Sequence, residues 1–361
     1  MPSLESFKRL SKEQAVARVR EIKAELGRDL VILGHHYMGD DVIEFADFRG
    51  DSLQLAQEAS RIAEARYIVF CGVHFMAETA DILRQPGQVV VIPDKRAGCL
   101  LADMAETPEV RNAWKSLTGL WGDDITPITY VNSTASLKAF CGRNNGIVCT
   151  SSNAAEVCRW ALQRTKHVLF FPDANLGTNT ALSMGIPRQQ IMTWDPSRPL
   201  GGNPDIDQAR FVVWRGFCYV HSHFTPEHVA AIRAKYEGIR IVVHPECSPE
   251  VVALSDANGS TSYIIRAVEQ APAGARLAIG TECNLVYRLA AEHPDKLIVP
   301  LVDSYCVSMA RINLYNLLRS LESIVAGRPV EVVTVSDEIK AEALIALQNM
   351  LRLSMPPKSA S

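Results

Sequence analysis

Three stretches of this 361-residue chain repeat one order of residue types. VILGHHY (31–37) leads to GDS (50–52), ITYVNS (128–133) to CTSSN (149–153), and RIVVHPEC (240–247) to NGSTS (258–262). Each is an apolar β-branched run, then polar residues suited to proton transfer, then a serine-containing turn. The intervals are comparable: His35 to Ser52, Asn132 to Ser151, Glu246 to Ser260. A lone loop cysteine follows each unit: Cys99 in RAGCLLADM, Cys218 in WRGFCYVH and Cys306 in DSYCVSMA. Such a repeat limits the fold severely. Three similar units around an axis can bring three strand ends, three serines and three thiols to one central point.

Hydrophobic periodicity fills in the units. SKEQAVARVREIKAELG (11–27) reads as an opening amphipathic helix, with Val16, Val19, Ile22 and Leu26 on one face and Gly27 as its C-cap. DLVILGHHY follows as a fully apolar strand, as expected of a parallel sheet covered on both faces. Residues 52–65 read as helix, 66–73 as strand, HFMAETADILR as helix and 89–94 as strand. The same β-α-β-α-β order recurs from about 126 and from about 211, the signature of doubly wound α/β domains.

The fold class is therefore α/β, with three similar αβα domains and parallel sheets. The expected boundaries are 1–97 with the N-terminal helix, 98–210, and 211–305, followed by C-terminal helices (306–361) packing across the domains. The Asn132-to-Cys218 span exceeds its counterparts by a stretch that matches MGIPRQQIMTWDPSRPLGGNPD (184–205). Its Pro and Gly content predicts an inserted surface loop. The tail MPPKSAS (355–361) is expected to be disordered.

Composition excludes several classes. The chain is 47% hydrophobic and 21% charged with a net charge of −3, and no Lys/Arg run stands out, which argues against nucleic acid as a partner. The N-terminal MPSLESFKRLSKEQ has no signal-peptide core. No apolar stretch approaches the roughly 18 residues that span a bilayer. The expected location is cytoplasmic. Nine cysteines in a reducing compartment are not a disulfide framework, and no CxxC pair supports a zinc ribbon or a thioredoxin-like site.

Cys99, Cys218 and Cys306 each stand in a loop just before a helix-like segment, where a thiolate is favoured. Three thiolates without a fourth leave one coordination position open, which for iron–sulfur chemistry means a [4Fe–4S] centre with one iron able to bind substrate. Any one of them alone reads as an unligated thiol; it is their recurrence, one per repeat at the same stage, that points to a ligand set. Of the other six, Cys71, Cys141, Cys149 and Cys158 lie in strands or helices, and Cys247 and Cys283 beside polar turns; most of these read as packing residues.

His35, His36 and Tyr37 end a buried strand, where α/β ligands bind. The second unit offers Tyr130 and Asn132 there, and the third His244 and Glu246, a plausible acid–base pair. Ser52, Ser151 and the Ser260–Thr261 pair precede helices, where hydroxyls and backbone N–H groups hold anions or simply cap the helix. No Walker A lysine motif and no strand-linked GxGxxG indicates a nucleotide.

Together these segments resemble the quinolinate synthetase A family. The matching stretches run from about 30 to 320: LGHHYMGDDVIEFADFRGDS, CGVHFMAETADIL, AGCLLADM, YVNSTASLKA, CTSSNA, FPDANLG, WRGFCYVH, HPECSPEVV, GSTS and CVSMARINL. One departure is HHY (35–37), where the family usually carries HYY; Tyr37 is retained. The 184–205 stretch resembles the longer subgroup.

The resemblance implies three αβα domains in pseudo-threefold arrangement around a central active site. It implies a [4Fe–4S] cluster held by Cys99, Cys218 and Cys306, with its open iron as Lewis acid. The implied reaction condenses iminoaspartate with dihydroxyacetone phosphate to quinolinate, phosphate and water, in NAD biosynthesis. Carried over by motif, His35, Ser52, Tyr130, Val131, Asn132, Ser151, His221, His244, Pro245, Glu246, Ser260 and Thr261 would line the substrate cavity, with Tyr37 beside them. His35, Tyr37, Tyr130, His244 and Glu246 would move protons. The implied partners are the two small substrates and an aspartate-oxidising enzyme supplying iminoaspartate. An aconitase-type hydro-lyase, an iron–sulfur carrier and a zinc transferase are the alternatives; the first lacks its CxxC, and the second needs no convergent His/Tyr/Glu/Ser set.

Overall fold

The structure, a computed structural model, describes residues 4–354, so the MPPKSAS tail lies outside the described residues. The described chain divides into two compact units: residues up to Cys99 with Ile265–Val335, and Leu100–Ile264 with the residues from Ser336 on. Both are α/β, with parallel-dominated sheets. Among the described residues no helix is long and apolar enough to cross a membrane.

In the first unit, strands run in the order Val332–Val333, Val89–Val91, Tyr67–Cys71, Leu30–His35, Phe48–Gly50. All pair in parallel except the edge strand Val332–Val333. Arg276–Gly280 pairs in parallel with Leu297–Pro300. The opening helix spans Lys12–Leu26, with a reciprocal Ser11–Gln14 capping box and Gly27 at φ 49° closing it. It buries Ala15, Val19 and Ile22, while Val16 and Leu26 are half-buried, so the core face is turned slightly from the expected one. It packs on Leu314–Val325, where Arg18 meets Glu322 at 2.7 Å.

In the second unit, the order is Ile147–Cys149, Ile125–Tyr130, His167–Phe171, Phe211–Trp214, Ile191–Trp194, all parallel. Two expectations fail here. The 184–205 stretch is not a plain surface loop: it contributes the strand Ile191–Trp194, whose end residues Ile191 and Trp194 are buried. Its Pro and Gly residues mark the ends of that strand, and Gly201, at φ 63°, lies so close to the Trp194 ring that a Cβ would come within 2.6 Å of it. FVVWRG, which the repeat places at the start of a third unit, instead supplies Phe211–Trp214 to this sheet. Arg240–Val243 pairs in parallel with Ala257–Asn258.

The two long C-terminal helices each pack within a unit. Leu314–Val325 lies on Lys12–Leu26, and Asp337–Leu353 on Ala135–Arg143. The second contact is close because Gly142 has no side chain: a Cβ there would lie 1.9 Å from the Glu342 carbonyl oxygen.

The repeat is visible at atomic level. Asp47 and Ile32 exchange two hydrogen bonds, the Asp47 N–H to the Ile32 carbonyl (2.8 Å) and the Ile32 N–H to the Asp47 carboxylate (2.8 Å). Asp256 and Ile241 do the same at 2.9 and 2.7 Å. In the second repeat the corresponding strand residue is Pro127, which has no N–H to satisfy. Its neighbour is Gly146, so close that a Cβ would lie 2.3 Å from the Pro127 carbonyl oxygen.

Candidate active site

Each unit carries its candidate residues at the carboxyl ends of parallel strands, the place where open α/β sheets bind ligands. In the first unit, His35 ends Leu30–His35 and is buried. The Tyr37 N–H donates to His35 Nδ1 at 3.2 Å, which leaves the proton on Nε2. The Tyr37 ring stands edge-on to the imidazole, centroids 4.6 Å apart. Its hydroxyl is 2.8 Å from Thr281 Oγ1. Asn284 Nδ2 donates to the Tyr37 carbonyl (3.2 Å), and Arg288 holds the His36, Met38 and Asp40 oxygens of the same loop. Burial lowers the pKa of His36 to about 4, against the pull of Asp51, so it is neutral at physiological pH.

In the second unit a chain of contacts runs through the third-repeat motif. The Glu246 N–H donates to His244 Nδ1 (3.4 Å), the same His-x-residue geometry as His35–Tyr37. His244 Nε2 is 3.2 Å from Ser151 Oγ. His221 stacks on His244 at 4.3 Å with an interplanar angle of 16° and sets its Nδ1 2.8 Å from Glu246 Oε2. Tyr130 donates its hydroxyl to the same carboxylate. Burial alone would raise the Glu246 pKa; His221, His244 and Tyr130 outweigh it and hold Glu246 below the usual carboxylate range. Cys218, His221 and Glu246 bring their ligand atoms within 4.8 Å of one another.

The supports of this motif come from the helix Ala174–Ser183. Asn179 Nδ2 bridges the carbonyls of Pro245 and Cys247, both at 2.8 Å, and Asn175 Nδ2 reaches the Glu246 carbonyl at 3.1 Å. Val131 is buried beside Asn132, whose Oδ1 is buried with no hydrogen-bond partner in the structure. Such an acceptor suits a ligand donor. Behind it the buried Lys138 ammonium donates to the Ser133 carbonyl (2.5 Å), fixing the turn. Ser151 also borders a cavity of about 670 Å³ lined by Asn153, Arg159, Asn179, Pro245 and Gly259 among others.

The serines are not equivalent. The cap before Ser52 is Asp51, which accepts the Leu53 and Gln54 N–H groups, so Ser52 is the first helical residue rather than the cap. Ser151 opens the turn before Ala154–Leu162, whose cap position is Asn153. Ser260 alone directly precedes its helix and accepts the Tyr263 N–H at 3.3 Å, with Thr261 the first helical residue.

The cysteines separate sharply by environment. Cys99, Cys218 and Cys306 are partly exposed; Cys71, Cys141, Cys149, Cys158, Cys247 and Cys283 are buried. Burial raises the pKa of all six buried thiols, to about 12 for Cys71 and Cys283, which keeps them protonated and inert. Cys283 Sγ is also occupied, accepting the Ser304 N–H at 3.1 Å. The three remaining loops share one tie. The first residue of the helix after the third strand of each repeat donates its N–H to the carbonyl two residues before the cysteine: His74 to Ala97 (2.8 Å), Ala174 to Gly216 (2.8 Å) and Cys283 to Ser304 (2.9 Å).

Sequence reasoning missed Asp173, Thr281, Glu282 and Asn284. Asp173 and Glu282 are wholly buried acids at the ends of third strands, in FPDAN and GTECN. The signal was an acid recurring at one station of two repeats.

Buried histidines, a tyrosine and a carboxylate gathered at parallel-strand ends define an α/β enzyme. The family model described as quinolinate synthetase A protein matches residues 17–352. The quinolinate synthase of Bacillus cereus (strain G9842) is 49% identical over 350 residues, covering 96% of this chain and 95% of that one. The quinolinate synthase of Bacillus thuringiensis (strain Al Hakam) has the same identity and coverage. The chain belongs to the quinolinate synthetase A family.

Proposed function

We propose that this chain is a quinolinate synthase, condensing iminoaspartate with dihydroxyacetone phosphate to give quinolinate, phosphate and water in NAD biosynthesis. Near-full-length similarity to proteins of that name carries the proposal, and the donor chemistry of the strand ends agrees with it. Iminoaspartate would come from an aspartate-oxidising enzyme, in the cytoplasm.

The donor set fits an iron–sulfur cluster: the three part-exposed thiols are the ones whose loops carry the recurring tie, and the other six are buried and protonated. A [4Fe–4S] cluster held by Cys99, Cys218 and Cys306 supplies, when bound, one iron with an open position as a Lewis acid.

The protein's own groups divide the remaining work. Nε2 of His35 and of His244 carry the protons left by their occupied Nδ1 atoms and can donate to substrate oxygens. Glu246, ionised and held by His221 and Tyr130, is the proton acceptor for imine–enamine shifts. Tyr37 is the second proton-transfer group. Ser52, Ser151, Ser260 and Thr261, with helix N-terminal N–H groups, suit carboxylates and phosphate. Asn132 Oδ1 accepts from a substrate donor. Val131 and Pro245 shape the wall.

The test is an anaerobic assay of iron-loaded protein with both substrates, following quinolinate. Product formation is expected; its absence with a loaded cluster would overturn the assignment.

A further inference from the structure

The residue that caps the helix after each third strand is Val73 in the first repeat, Asp173 in the second and Glu282 in the third. Glu282 Oε1 accepts the Cys306 N–H at 3.4 Å and the Asn284 Nδ2 at 3.0 Å, while Oε2 accepts the Asn284 N–H at 2.8 Å. Asp173 Oδ1 accepts the Leu176 N–H at 2.7 Å, its Oδ2 is buried with no hydrogen-bond partner, and, against the rise that burial causes, the Cys218 N–H faces the carboxyl group closely enough to lower its pKa. Both acids are fully buried, and Asp173 additionally bridges to Gly216 as an isolated parallel pair. Val73 offers no acceptor at the same station. The backbone tie is thus common to all three cysteine loops, and at the second and third the helix cap is an acid facing the cysteine's own N–H.

We propose that Asp173 and Glu282 are positioning residues that lock the Cys218 and Cys306 backbones in the conformation needed to bind a metal centre. Both side chains are fully buried. They act through the N–H of the cysteine, whose backbone conformation sets the direction of its Cα–Cβ bond and so the reach of its sulfur. A buried acid at these stations satisfies an N–H that a loop would otherwise leave to water, and so keeps the loop from rearranging. The inference rests on the cysteine assignment above.

The test uses the full chain, stripped of metal under anaerobic conditions. Alkylation of each cysteine by iodoacetamide is timed by peptide mass spectrometry. Asp173→Ala is expected to change the Cys218 rate by about fivefold and to leave Cys99 and Cys306 unchanged, as loss of one backbone hydrogen bond implies. Glu282→Ala is expected to do the same for Cys306 alone. Asp173→Asn and Glu282→Gln, which keep an acceptor oxygen, are expected to restore much of each rate.

Reconstituted iron per chain is measured in parallel. The alanine variants are expected to lose iron to a chelator faster than the parent, and the amides more slowly than the alanines. Rates that stay at the parent value, or that shift equally at all three cysteines, would overturn the positioning role even where the parent binds iron. A parent that binds no iron would instead overturn the cysteine assignment. Where an alanine variant fails to fold, Asp173→Val and Glu282→Val reproduce the first repeat's own residue and are read in the same way.

Discussion

His221 Nδ1 lies 2.8 Å from Glu246 Oε2, with both side chains almost wholly buried. A buried carboxylate is stable there only because His221, His244 and Tyr130 face it. Glu246→Gln preserves the shape and removes the charge. Turnover is expected to fall by about 100-fold or more, the range of a lost general base. Steady-state quinolinate formation checks it; full turnover would remove Glu246 from proton transfer.

Tyr37→Phe deletes the hydroxyl that meets Thr281 at 2.8 Å. The ring packing on His35 is kept, so stability should drop by only about 1 kcal/mol. A proton-transfer role predicts a loss in kcat larger than the change in KM. Thermal unfolding and steady-state kinetics on one preparation separate the two effects.

The cysteines divide into two groups by burial, and substitution should divide them in the same way. Cys99→Ala, Cys218→Ala and Cys306→Ala are each expected to lose iron and the visible absorbance of reconstituted protein. Cys158→Ala removes a buried, protonated thiol and should keep both, at a cost of about 1 kcal/mol in stability. Iron analysis after anaerobic reconstitution is the readout.

Gly142 is required by contact, not by backbone conformation. A methyl group there would meet the Glu342 carbonyl oxygen at 1.9 Å, so Gly142→Ala must push the Asp337–Leu353 helix outward. A destabilisation of about 2 kcal/mol or more is expected, typical of overpacking. Denaturant unfolding measures it.

Asp256 gives the fold a defined acid limb. Burial raises its pKa, but the Ile241 N–H and Arg233 lower it further, to a net value below the usual one. Its stabilisation is therefore complete above the unfolded value near pH 4 and is lost as pH falls through the lower folded value. Asp256→Asn should flatten that loss. Thermal unfolding of metal-free protein against pH, parent beside variant, is the measurement.

Much of the α/β order was legible because parallel strands covered on both faces are uninterrupted apolar runs, as in LVILGH and YIVFC. That Cys99, Cys218 and Cys306 stand apart in exposure was legible because each is a lone loop cysteine trailing one repeat, away from any periodic segment. The 184–205 strand was not legible. Four residues, IMTW, sit among Pro and Gly, and only pairing with Phe211–Trp214 makes them a strand. The same pairing moved FVVW out of the third repeat. Asp51 in place of Ser52 as a cap was also hidden, because Asp and Ser are equally good caps and stand side by side. Asn175 and Asn179 were invisible as supports, since their partners are backbone carbonyls more than sixty residues away.

The tie from helix N–H to loop carbonyl joins His74 to Ala97, Ala174 to Gly216 and Cys283 to Ser304. These six residues share no side-chain chemistry, and they need none, because every atom in the bond belongs to the main chain. The bond itself thus survives a change of side chain, although Gly216 admits none, since a Cβ there would lie 2.3 Å from the Pro172 carbonyl oxygen. An ancestral module could be copied twice and its copies drift apart in sequence while still presenting a sulfur at the same place. A joint made by the main chain leaves the neighbouring strand ends free to specialise, one toward tyrosine and another toward glutamate.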